Sequence, residues 1–438
     1  MLGFLILLLL IGIEISLMIL RVRKKSYQTK LRHQISIGIF LLMILLVLLQ
    51  VIKLSFRWYL LYFVLLIEAI RAVIYFIKLR KNKIKLEKPY KLSKTIFTAI
   101  RRIIFVTFLL FLAIMFPQFK DLPITGEYAV ATKVFTIEDT NRIEPYSKKN
   151  ENRKVTLQLW YPEVDNHTEK FPLLIFSHGS FGFKGSNLST FMELASNGYV
   201  VLSIDHTYYS FFTRQTDGNM VIVDQTFLND VMAVQNDDYD DDITYKLTKE
   251  WLDTRLKDMN LVIDFVMDNT VNNREDTVFQ LIDTDKIGVF GHSIGGACAA
   301  QLGRIRDDID AVVVVDGTLL GEELEFNNNQ LVLNNEPYPI PILDIFNEEH
   351  YKEALEDKDI YPNMVMAHNA IDCRQIVFKD AGHLNFTDLP LFSPFLASLL
   401  GTGEIDSRYC IETMNQVILS YFDHYLKGSN NLILQSEY

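Results

Sequence analysis

Three residues in the second half of this 438-residue chain have the types and order of a nucleophile, an acid and a base: Ser293, Asp316 and His383. A serine hydroxyl is unreactive unless a neighbouring base takes its proton. An imidazole serves best when a carboxylate fixes its tautomer and stabilises its charged form. Ser293 stands in Gly291-His292-Ser293-Ile294-Gly295, after the apolar run KIGVF and before the small-residue stretch IGGACAAQLGRI. A sharp strand-to-helix turn needs small neighbours two residues to either side of the residue it displays. G-x-S-x-G by itself is also found in ordinary glycine-rich turns; the strand pattern before it and the helix pattern after it favour a displayed nucleophile.

His383, in KDAGHLNF after the last strand-like run, is the base this order favours; His350, His368 and His424 also follow Ser293 but fall in helical or loop contexts. Asp316 terminates VVVVD, the strand pattern next after the serine's, whereas Glu348 and Glu349 end the following one. Asp316 is the preferred acid, and Glu348 and Glu349 read as a solvated helix start. The oxyanion formed on attack needs two backbone donors, one after the nucleophile and one after an earlier strand. Ile294 supplies the first, and Ser180 in SHGSFG the second, with His178 bracing that loop and His206 also structural.

These residues need a scaffold that brings strand ends together. FPLLIFSHG (171–179), YVVLSIDH (199–206), KIGVFGHS (286–293), AVVVVDG (311–317), IPILDIFNEEH (340–350) and RQIVFKDAGH (374–383) are continuous apolar runs ending in polar residues or glycine, with VTLQLWYP (155–162) alternating before them. Such runs suit strands buried on both faces of a mostly parallel sheet. Helical stretches (189–198, 254–269, 294–305) lie between them, so the class is α/β. Ligands in such a sheet sit beyond the carboxyl ends of the strands, where the candidate residues cluster.

Residues 1–117 hold 19 Lys and Arg against three acids, net +16, and the remainder is net −27. A domain that acidic repels polyanions, which excludes nucleic acid as its ligand class. Four apolar runs, 2–20, 36–52, 58–77 and 103–117, each approach the length of a membrane-crossing helix. The first lacks a basic leader and a small-residue cleavage site and reads as a retained span. Basic residues concentrate in 21–35 and 78–102, which the positive-inside rule places in the cytoplasm. The expectation is a multi-pass protein of the cell membrane, with a domain from 118 to 438 on its outer face. Glu14, Glu68 and Arg71 fall in or near spans and read as packed, self-neutralised charges, Glu68 and Arg71 pairing at i, i+3.

Cys298, Cys373 and Cys410 show no metal-ligand spacing, although a Cys373–Cys410 bridge is compatible with the count. No metal or cofactor is called for. The insert 207–250 carries Tyr208, Tyr209, Phe211 and Phe212, suited to an acyl pocket or to lipid. Its carboxylates Asp237, Asp238, Asp240, Asp241 and Asp242 lack the pattern of a calcium-binding loop and read as a solvated surface.

LWYP, FSHGSFG, ELASNGYVVLSIDH, GHSIGGA, VVVVDG, FNEEHYKEA and DAGHLNFTDLP, in this order, resemble the platelet-activating factor acetylhydrolase family, the plasma and intracellular type II lipases of the α/β-hydrolase fold. The resemblance covers about residues 125–428. It implies Ser293 as nucleophile, Asp316 as acid, His383 as base, Ser180 and Ile294 as oxyanion donors, and hydrolysis of short or oxidised acyl groups at the second glycerol position of phospholipids without calcium. The four spans and the insert depart from the family pattern and bear on substrate. The expected protein is a membrane-anchored serine esterase or lipase with ester or phospholipid substrates and the bilayer as partner. The rivals are an acyltransferase using the same triad and a non-catalytic membrane receptor.

Overall fold

Long runs of Leu, Ile, Val and Phe with charge gathered at their ends favour helices whose backbone bonds are satisfied within the segment. The computed structural model describes residues 2–81, 89–165, 169–272, 276–327, 330–432 and 434–438. Among them α1 (Leu2–Lys24), α2 (Thr29–Leu48), α3 (Phe56–Arg80) and α4 (Leu92–Met115) are each long and apolar enough to cross a bilayer. α1 and α3 run past the expected spans, whereas α2 and α4 begin well before theirs and stop short of their ends, so that Lys30, Arg32, Lys94, Arg101 and Arg102 lie inside helices rather than in loops. Lys and Arg are good helix formers, and their long side chains let the charge leave an apolar surface, so basic residues do not end a helix. Lys83, Lys85 and Lys88 of the expected cytoplasmic loop lie outside the described residues.

Glu14 is buried and pairs with Arg32, with Arg102 at 3.9 Å. Glu68 and Arg71 form the expected i, i+3 pair at 3.8 Å, but the Arg71 side chain is 68% exposed, so only the carboxylate is packed. The chain divides into two units, Met1–Lys120 with Leu391–Leu396, and Asp121–Pro390 with Ala397–Tyr438.

The second unit is built on β1 (Val130–Ile143), β2 (Asn152–Pro162), β3 (Phe171–Ser177), β4 (Val200–Asp205), β5 (Ile282–His292), β6 (Ala311–Val315), β7 (Ile342–Asn347) and β8 (Cys373–Phe378). They form one eight-stranded sheet in the order β1-β2-β4-β3-β5-β6-β7-β8. The β1–β2 and β2–β4 pairings are antiparallel and the rest parallel. Between strands lie α5 (Leu188–Ser196), α6 (Gln225–Gln235), α7 (Asp241–Asn272), α8 (Ile294–Ile305), α9 (Glu348–Glu356) and α10 (Pro362–Asn369), and α11 (Ser407–Lys427) follows β8.

Successive side chains on a strand face opposite ways, which splits the core into two layers. Leu173 and Ile175 of β3 pack with Met259, Val262 and Val266 of α7 and Ala297 and Leu302 of α8. Leu174 and Phe176 pack with Phe191 and Leu194 of α5 and Met414, Ile418 and Phe422 of α11. Helices on both faces explain why the parallel strands read as unbroken apolar runs. The central crossover places the carboxyl ends of β3, β5, β6 and β7 side by side, and the candidate residues stand there.

Candidate active site

Ser293 joins β5 to α8 at φ 58°, ψ −131°, a left-handed backbone region that non-glycine residues rarely occupy. Two glycines make this turn feasible. A Cβ at Gly291 would meet the Gly295 carbonyl carbon at 2.2 Å, and one at Gly295 would meet the Ser177 oxygen at 2.0 Å. The turn is therefore wedged against the end of β3. The Ile294 amide lies in the first turn of α8, where helical N–H groups have no acceptor within the helix.

Asp316 follows β6 at φ 53° and is buried. Its carboxylate accepts four bonds: from His383 Nδ1 (2.6 Å) and Asn347 Nδ2 (2.6 Å) at Oδ2, and from the Asn347 amide (2.9 Å) and His350 Nδ1 (2.9 Å) at Oδ1. Burial works against the charge, but the hydrogen bonds and proximity of His350 and His383 outweigh it and hold Asp316 well below the usual carboxylate range. The His383 ring packs on His292 with centroids 4.5 Å apart, and His292 Nε2 donates to the His383 carbonyl at 3.0 Å. Burial drives His292 down to about 3, so it is a neutral ring that fixes the loop carrying His383. The structure brings His383 and Asp316 into direct contact. Glu348 instead bonds Lys352 and the Asp380 amide, and Glu349 stands on α9 beside it. No hydrogen bond joins Ser293 Oγ to the His383 imidazole among the described residues; nucleophile–base pairs are often looser without substrate.

The loop after β3 is held from beneath. The Gly179 carbonyl accepts from His178 Nδ1 (2.6 Å), the Gly182 amide (3.1 Å) and Arg255 Nη2 (3.4 Å). Arg255, fully buried on α7, also donates to the His178 carbonyl at 2.6 Å. A trans peptide holds its N–H opposite its C=O, so anchoring the Gly179 oxygen inward turns the Ser180 N–H the other way. A Cβ at Gly179 would come within 3.2 Å of Ser293 Cβ, which places this peptide directly beside the serine. His178 Nε2 accepts from Ser210 Oγ at 2.7 Å, and burial, with Arg255 nearby, holds His178 well below the ordinary histidine value. His206 is likewise neutral, lowered to about 4 by burial; it donates from Nδ1 to Asp258 and accepts from Ser177 Oγ. Both imidazoles brace the loop.

Asp258 is the centre of this support. It takes Arg153 in two bonds of 2.6 Å and Arg142 at 2.8 Å, and Arg153 reaches Glu144 at 2.6 Å. Nothing in the local pattern around Arg255 or Asp258 marks them, since each lies far in sequence from the atoms it holds, and the hold of Asn347 on Asp316 spans 31 residues. By sequence His350 falls with His368 and His424 in helical or loop contexts, although the apolar run 340–350 ends on it, and the structure places its Nδ1 on Asp316.

The aromatic insert divides. Tyr209 is core, packed with Phe227, Trp251 and Ile294, because its ring falls under α6 and α7. Phe212 packs against Phe183 with ring centroids 4.8 Å apart, and Phe211 is 57% exposed. The insert thus forms an apolar wall against Ile294, next to Ser293. The acidic run ends in α7, where Asp240 Oδ1 accepts the Ile243 amide and Asp242 pairs with Lys246. All three cysteines are free.

The strand order and the strand-to-helix turn at Ser293 define an α/β-hydrolase. Residues 152–433 match the family model described as platelet-activating factor acetylhydrolase, isoform II, and the chain belongs to that family. It is 24% identical over 278 residues to a platelet-activating factor acetylhydrolase of Canis lupus familiaris and 25% identical over 284 residues to that of Bos taurus. Each match covers 59% of this chain and 58% of the relative. A solved ferulic acid esterase from Streptomyces cinnamoneus superimposes with a TM-score of 0.53 at 19% identity, over 70% of this chain and 93% of that one, and shares the fold.

Proposed function

We propose that the protein is a membrane-anchored serine ester hydrolase acting on short or modified acyl esters, phospholipid acyl groups at the second glycerol position among them. Ser293 Oγ attacks the ester carbonyl as His383 Nε2 takes its proton. Asp316 holds the His383 Nδ1–H and stabilises the imidazolium. The Ile294 and Ser180 N–H groups receive the oxyanion. Collapse breaks the bond to the leaving alkoxide, which takes the proton from His383 and departs as the alcohol. Water then repeats the sequence on the acyl-Ser293 intermediate and releases the acid.

The observation that carries this reading is the 2.6 Å contact of His383 with Asp316 on the strand end next to the Ser293 turn, in a chain of this family. Four apolar helices and the basic residues around them support an anchor in the cell membrane with the hydrolase unit on the outer face.

The test is turnover of 4-nitrophenyl acetate, butyrate and palmitate by the full chain in detergent, beside Ser293→Ala, with labelling by an organophosphonate. Short-ester turnover and labelling that both vanish in the variant support the reading. A folded protein that does neither overturns it. For orientation, a membrane-impermeant reagent on whole cells labels the hydrolase unit if it faces outward, and fails to if it does not.

A further inference from the structure

Asp316 is shared by two imidazoles, and only one of them is needed by the reaction above. His350 lies in the first turn of α9, its amide capped by Asn347 Oδ1 at 2.9 Å, while Asn347 donates its own amide and Nδ2 to Asp316. One asparagine therefore sets the helix start, the carboxylate and the second imidazole together. The four donors on Asp316 fill the lone-pair positions of a carboxylate.

The far side of His350 matters as much. Its Nε2 is 2.7 Å from the Tyr361 hydroxyl, which is 3.1 Å from Thr318 Oγ1. With His350 neutral, Nδ1–H donates to Asp316 and Nε2 accepts the Tyr361 O–H. With His350 protonated, Nε2–H donates to the Tyr361 oxygen, whose O–H turns to Thr318. Both states are fully hydrogen-bonded without movement of a heavy atom, so the pocket accommodates a proton at little structural cost.

We infer that His350 is a positioning residue whose own charge, placed on the carboxylate it shares with His383, governs the acid side of the reaction. The inference rests on the triad reading above. Two cations on one carboxylate repel each other, so a charge on His350 opposes a second one on His383. The groups facing His350 are Asp316 from the end of β6, Asp344 from β7, Glu353 from its own helix, and Tyr361 ahead of α10. Burial disfavours its charged form, but the bond to Asp316 and the charge of Asp316 outweigh burial, with Glu353 and, where it is ionised, Asp344 adding to them, and raise His350 above the ordinary histidine value. Its side chain is 12% exposed, which leaves solvent a route to the ring.

The experiment is the pH profile of kcat/KM for 4-nitrophenyl acetate, full chain in detergent, for the parent, His350→Gln and Tyr361→Phe. Glutamine donates to Asp316 and accepts from Tyr361 but does not titrate. Its acid limb is expected to move up by about 0.5–1 pH unit, a three- to tenfold loss at pH about 5.5 relative to the parent, each normalised to its plateau near pH 8. Tyr361→Phe removes the oxygen that receives the second proton's N–H and is expected to shift the limb the same way by less. If the soluble variants keep the parent's profile and differ only by a constant factor, His350 is structural and the inference fails. If His350→Gln does not fold, Tyr361→Phe decides alone by the same criterion. A folded parent without turnover or Ser293 labelling overturns the hydrolase reading, and this inference with it; turnover with an unshifted limb overturns only this inference.

Discussion

Two buried carboxylates organise the hydrolase unit, and they are neutralised in opposite ways. Asp258, below the β3 loop, is held by Arg153 and Arg142 with His206. Asp316, at the sheet's carboxyl edge, is held by two histidines and an asparagine, with no arginine bonded to it among the described residues. Both lie well below the usual carboxylate range: burial opposes ionisation at each, and Arg153 outweighs it at Asp258 as the histidines do at Asp316. Guanidinium stays charged at any working pH, whereas imidazole does not. The first centre is therefore fixed scaffold, and the second can change its charge as a reaction requires.

The sharpest way to separate the two is to remove the charge at each. Asp316→Asn is expected to lower kcat on 4-nitrophenyl acetate by about 10⁴-fold, because an amide no longer holds the His383 tautomer. Asp258→Ala leaves the buried Arg153 with Glu144 as its remaining carboxylate partner and is expected to cost about 3–5 kcal/mol of stability, read from the denaturant midpoint. If the Asp316 variant lost more stability than the Asp258 variant, the division between scaffold and chemistry would be wrong.

Arg255→Met tests how far the scaffold reaches the chemistry. It removes the donors to the His178 and Gly179 carbonyls, and about 10- to 100-fold lower kcat with little change in KM is expected. Asp344 provides the smallest effect. Burial raises it to about 7 in the fold, above its unfolded value, so its favourable contribution is complete at low pH and fades as pH rises through about 7. Asp344→Asn is expected to remove this loss, a slope of up to about 1.4 kcal/mol per pH unit. Thermal unfolding of both proteins between pH 5 and 8 checks it: an unchanged slope means that Asp344 does not titrate there.

The parallel strands were legible because both of their faces are covered, which leaves apolar runs such as VVVVD with one polar residue at the end. Edge strand β1 was not, since its residues are half-exposed and its VATKVFTIEDTNRI alternates too weakly to stand out from a linker. The start of α4 is obscured for another reason: Lys94, Arg101 and Arg102 read as part of the loop 78–102 before the apolar run, yet they lie within the helix. Ser293, Asp316 and His383 follow from chain order and strand ends, which are local. Arg255, Asp258, Asn347 and Tyr361 act on atoms that only the folded sheet brings near, and no local period records them. Phe211 and Tyr209 look equivalent in TYYSFFTR, but burial under α6 and α7 separates them.

Ser293 and Asp316 both have φ in a range that glycine occupies freely, 58° and 53°. Such positions cost a side chain on the order of 1–3 kcal/mol. Under selection for heat resistance alone, a population of variants would drift towards glycine at Ser293, whereas glycine at Asp316 would strand the buried donors of Asn347, His350 and His383. On the proposed mechanism, the Ser293 turn is thus where endurance and activity compete within this fold.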